Sequence, residues 1–134
     1  MERNNCIIIT PEGDADALHI DFSNLQEEIR KCLDQCKDYV IIGNDDPCIG
    51  NLSNFADAPL CLCYNKSCDS RSKENEGNND VVNDLMAAYK YHGNCLIFLH
   101  DKNHKPAPMT EENIRNTVAL LEEYHGANLW KVSA

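Results

Sequence analysis

Apolar residues change their spacing several times along the chain, and each change marks an element. Cys6 to Thr10 is a mostly β-branched run closed by Pro11, Glu12 and Gly13, while Leu18, Ile20 and Phe22 alternate with His19 and Asp21. Period two on both sides of an acidic turn predicts a β-hairpin over residues 6–22. Ser23 to Gln26 has capping-box spacing, and Leu25, Ile29, Cys32, Leu33 and Cys36 follow at helical intervals. An amphipathic helix is expected there, with Cys32 and Cys36 toward the core and Glu27, Glu28, Lys31 and Asp34 toward water.

Tyr39 to Ile42 predicts a strand stopped at Gly43, and the turn formers of Gly43 to Gly50 predict an exposed loop. Leu60 to Tyr64 returns to strand character, and the polar stretch 65–79 predicts a mobile loop inserted within the domain. Asp80 caps a predicted helix carrying Val81, Val82, Leu85, Met86 and Tyr89, with Gly93 as its left-handed stop. Asn94 to Leu99 is the most hydrophobic run and suits a central strand covered on both faces. Thr110 caps a last helix: Glu111 and Glu112 occupy its first turn, Met109 staples to Ile114, and Ile114, Thr117, Val118 and Leu121 form its buried stripe up to Gly126. The pattern predicts one α+β domain over residues 1–134, a mixed or antiparallel sheet of about four or five strands covered by about three helices.

Charge narrows the partners. The 134 residues carry 22 acids against 12 Lys and Arg, a net charge of −10. Residues 1–57 hold a net −8 of this, so one end of the molecule carries most of the field. A surface of this sign disfavours direct binding to nucleic acid or to anionic membrane, since both require cations against phosphate. The acids expected to form a recognition surface for a basic partner are Glu12, Asp14, Asp16, Glu27, Glu28, Asp45 and Asp46. Simple solubility explains the same excess without a partner.

Eight cysteines accompany an N-terminal stretch without the apolar core of a signal peptide, so reduced thiols and a cytoplasmic location are expected. Cys61, Cys63 and Cys68, with His92, His100 and His104, are ligand types for zinc, but no C-x2-C pair is present. Cys61, Cys63 and Cys95 read instead as small apolar fillers of the sheet, with Cys61 and Cys63 on one face. No nucleophile elbow, Walker, EF-hand or dinucleotide fingerprint surrounds any Ser, Cys or acid pair. No catalytic residue, metal or cofactor is assigned.

Residues 5–125 contain, in order, a strand with a Pro-Gly turn, a helix start NLQEEI, a helix-to-strand unit VNDLMAAYKYHGNCLIFLHD and a closing helix MTEENIRNTVALLEEY. That order resembles an uncharacterised domain family of phages and other bacterial mobile elements. The glycine-rich VGG element usual after the family's LQ motif is replaced here by Ile29 to Leu33. The resemblance implies no catalytic residues. It implies a small anti-defence protein, of anti-CRISPR or similar type, that inhibits a bacterial defence nuclease by docking on a basic surface. Two other readings stand beside it: a sponge for a cyclic-nucleotide signal using Lys102, Lys105, Tyr64 or Trp130, and a Cys/His metalloprotein or enzyme. The sequence leaves homo-oligomerisation open.

Overall fold

The computed structural model describes residues 3–33, 35–43, 47–66, 93–103 and 105–125. Its strands are β1 (Cys6–Ile9), β2 (Ala15–Leu18), β3 (Tyr39–Ile42), β4 (Leu60–Asn65), β5 (Cys95–His100) and β6 (Pro106–Ala107). Its α-helices are α1 (Leu25–Cys32), α2 (Pro47–Ala56) and α3 (Glu111–His125), and a 3-10 turn covers Phe22–Asn24. The sheet runs β2-β1-β5-β4-β3, with β6 added to β5, and every pairing is antiparallel. This is an α+β fold. Among the described residues no helix is long and apolar enough to cross a membrane.

Register sorts the side chains into two layers, because cross-strand partners share a face and neighbours along a strand do not. Ile7, Ile9, Ala15, Leu60, Leu62, Tyr64, Cys95 and Ile97 form one buried face with residues of α2 and α3. Cys6, Cys61, Cys63, Leu96 and Phe98 form the other, where Ile20, Ile29 and Leu33 pack on them. Phe22 meets Phe98 edge to face, with ring centroids 5.7 Å apart. The hydrophobic run of β5 is thus a central strand buried on both sides, since its neighbours are β1 and β4.

Several boundaries differ from the pattern reading, each for a local reason. The second hairpin strand is Ala15–Leu18, not 18–22: Gly13, at φ +97°, lets the chain turn back early, and the Thr10 amide donates to the Asp14 carbonyl at 2.9 Å. Leu18, Ile20 and Phe22 still point to the α1 layer, so their alternation reported burial correctly and strand wrongly. Asn5 holds this extended stretch. Its Nδ2 donates to the Ile20 carbonyl at 2.8 Å, and its Oδ1 accepts the Ile20 amide at 2.9 Å.

The capping box expected at Ser23 is absent. Asp21 instead accepts from the Ser23 amide at 3.0 Å and from its hydroxyl at 2.6 Å, and Asn24 at the α1 N-cap makes no side-chain capping bond. The exposed loop expected over 43–50 is overturned from Pro47 onward: Pro47 is the first residue of α2, where a missing amide costs nothing, and Ile49 and Leu52 are fully buried. Asp57, at φ +55°, ends α2 in a Schellman motif, with the Ala58 amide on the Ser53 carbonyl and the Asp57 amide on that of Asn54.

The α3 N-terminus matches expectation in position. Asn113 replaces the usual Glu or Gln of the box, accepting the Thr110 amide at 3.1 Å while its own amide donates to Thr110 Oγ1 at 3.1 Å. Met109 and Ile114 are both buried in the same core layer. The helix expected from Asp80 lies outside the described residues, although Gly93 has the expected left-handed φ of +76°. The loop expected over 65–79 begins inside β4, which ends at Asn65, and from residue 67 it too lies outside them.

Candidate functional site

The hairpin that opens the chain sets its acids at a sheet edge. Amide bonds from Gly13 and Asp14 onto Thr10 tighten the turn, leaving Glu12 exposed at the tip and Asp14 half-buried beside it. Asp16 lies on β2, opposite Ile8 and on the α1 side of the sheet, and is exposed. Among the described residues none of these three carboxylates has an ion-pair partner.

The acids of α1 differ. Glu27 sits 3.6 Å from Arg30 and Glu28 3.6 Å from Lys31, and Glu28 also accepts the Asp21 amide at 3.3 Å. Exposed pairs one helical turn apart are worth only about 0.3–0.5 kcal/mol, but they cancel the local charge. Asn94, which precedes β5 at the hairpin end, donates to the Cys32 carbonyl at 3.0 Å, so the C-terminus of α1 lies there. Glu27 and Glu28, in the first turn of α1, therefore stand at the opposite end of the sheet from Glu12 and Asp14. The five described acids do not form one patch, and Asp45 and Asp46 lie outside the described residues.

The thiols are core residues. Cys61 and Cys63 share the α1 face as alternation requires, with Cys6 beside them, and Cys95 faces the other layer. Burial, and next the nearby Cys32, pushes the Cys6 thiol up to about 12. Burial raises Cys63 well above the ordinary thiol value, with neighbouring Cys61 adding to it, and burial likewise raises Cys32. Thiols held neutral in this way are poor nucleophiles and poor ligands at neutral pH. Among the described residues no group of three His, Cys, Asp or Glu side chains is disposed to hold a metal ion. Cys68, His92 and His104 lie outside them.

Tyr64 is 5% exposed and packs within the α2 and α3 layer, so it offers no stacking face to a nucleotide. Lys102 and Lys105 lie exposed on the β5–β6 turn, where Asp101 Oδ1 accepts the amides of Asn103 and Lys105 at 2.8 and 3.0 Å. These bonds, the Lys105 amide foremost, lower the Asp101 carboxyl below its usual range. Trp130 lies outside the described residues. A feature that spacing did not reveal is an open depression of about 370 Å³ lined by Cys36, Lys37, Asp38, Asn65 and Lys66. Only the β3–β4 register brings residues 37 and 66 together, and no periodicity in the chain signals it.

No family model, curated protein or solved structure matches this chain.

Proposed function

We propose that the protein is a non-catalytic inhibitor, of anti-CRISPR or similar anti-defence type, that binds a bacterial defence nuclease in the host cytoplasm. The observation that carries this reading is the acidic hairpin: among the described residues Glu12, Asp14 and Asp16 have no counter-ion at this edge of the sheet, whereas Glu27 and Glu28 are bridged within their own helix. Uncompensated carboxylates on a rigid hairpin suit a surface whose Lys and Arg ordinarily hold phosphates. The resemblance to phage and mobile-element domains supplies the class of target.

The test is recovery of partners from bacterial lysate with the tagged protein at low and moderate salt, followed by titration of the recovered nuclease. Stoichiometric inhibition weakened by salt is expected. Replacing Glu12, Asp14 and Asp16 together by Lys should raise the dissociation constant at least ~100-fold, about 2.7 kcal/mol, while reversing Glu27 and Glu28 should change it far less. Inhibition insensitive to both salt and hairpin reversal overturns the mechanism.

A further inference from the structure

Among the described residues the sheet has two edges, β2 and β3, and they are built differently. The Lys66 amide donates to the Asp38 carbonyl at 3.1 Å, which makes 38 and 66 a hydrogen-bonded pair just beyond the β3–β4 register. Antiparallel pairs alternate, so Val40 with Tyr64 and Ile42 with Leu62 are the next bonded pairs. The backbone groups of Tyr39 and Ile41 consequently point away from β4, where no described strand pairs with them.

Among the described residues nothing along β3 blunts this edge. Its four residues are uncharged, include no proline and are all half-exposed. Val40 and Ile42 pack on one core layer, Tyr39 and Ile41 on the other, so a strand laid against β3 would continue both.

We propose that the outer edge of β3 is a self-association surface, across which two copies of this chain pair antiparallel about a two-fold axis and join their sheets. In that register Tyr39 pairs with the partner's Ile41, and Val40 faces the partner's Val40, with no charge opposed. The same operation on β2 is opposed electrostatically. The Thr10–Asp14 bond makes Ala15 and Ala17 the outward residues of β2, so the equivalent register, which pairs Ala15 with the partner's Ala17, sets Asp16 against its own copy, and a register shifted to avoid that contact keeps one bonded pair within β2 instead of two. Pairing β3 with β2 would be head-to-tail, which builds rings or filaments rather than a two-fold dimer. Charge thus selects β3 against β3, and a second copy is the occupant. The hairpin acids lie on the other edge, so the two surfaces are independent.

Two four-residue strands bury less than the ~1,200 Å² of a standard stable interface, and each copy carries −10, so the dimer is weak, concentration-dependent and strengthened by salt. Salt therefore acts here opposite to its effect on the acidic hairpin.

The test is sedimentation velocity of the full chain from ~10 µM to ~1 mM, the range of a small interface, at two salt concentrations. Amide hydrogen exchange is followed at both extremes of concentration. The mass should rise from 15.1 kDa toward twice that value, further at higher salt, with the Tyr39 and Ile41 amides gaining protection. Ile41→Pro removes an outward donor and no β3–β4 bond, and should stay monomeric with an unchanged circular dichroism spectrum. If that variant does not fold, exchange at Tyr39 and Ile41 in the native chain decides. A monomer at every concentration, or a dimer that leaves those two amides unprotected, overturns the proposal.

Discussion

Thr117→Val is expected to stabilise the protein. Thr117 sits in the buried stripe of α3, is 0% exposed, and its Oγ1 has no hydrogen-bond partner. The hydroxyl does not turn back to a carbonyl of its own helix, as threonine often does. An unpaired buried hydroxyl costs about 1–3 kcal/mol relative to its hydrated state. Valine has nearly the same shape and nearly the same helix propensity, so the exchange isolates that cost. Allowing for imperfect fit of the new methyl, a gain of about 1 kcal/mol is expected, which for a chain of this length raises Tm by about 3–4 °C. Thr117→Ser is the control: it keeps the hydroxyl, removes a buried methyl, and should lose about 1 kcal/mol. Urea denaturation and calorimetry of the three proteins measure both. A valine variant less stable than the native chain would show that the hydroxyl is satisfied in solution and refute the reasoning.

Asn5→Ala removes both bonds to Ile20 and should cost about 2 kcal/mol by urea denaturation, with slope unchanged; a cost below ~0.5 would mean the clamp is dispensable. Asp57→Gly should raise stability by about 0.5 kcal/mol, because a left-handed C′ position strains any side chain, and Asp57→Ala should lower it. Cys6, at about 12 against an ordinary 9.0, has roughly a thousandth of the thiolate of a peptide cysteine and should be alkylated ~1000-fold more slowly in the native state at pH ~8. The sign for stability follows: the contribution is complete below pH 9.0 and is lost as pH rises toward 12, since the fold favours the neutral thiol. Peptide mapping by mass spectrometry checks the first, and urea midpoints across alkaline pH check the second.

Period and composition were enough for the strands Tyr39–Ile42 and Cys95–His100, for the buried stripe of α1, and for the Thr110 start of α3. In these segments local preference and burial ask for the same conformation. Residues 43–56 were harder to read: Pro47 and Gly50 are turn formers, yet Ile49, Leu52 and Ala56 bury against the sheet and α3, and that tertiary burial makes a helix of Pro47–Ala56. Leu18 to Phe22 was ambiguous in the same way, because alternation reports which side is buried and not whether a neighbouring strand supplies hydrogen bonds.

The candidate surfaces divide along the same line. Net charge, its bias to the first half of the chain and the burial of Cys61, Cys63 and Cys95 follow from the sequence by itself, since they depend on residue type and local period. Which acids share a surface does not. Glu12 and Asp14 part from Glu27 and Glu28 because the hairpin and the N-terminus of α1 occupy opposite ends of the sheet, and i, i+3 contacts cancel the α1 pair. Strand order likewise left β3 at one edge and β2 at the other. An edge is a property of which strands find neighbours, and that is decided by long-range pairing energies no local stretch encodes.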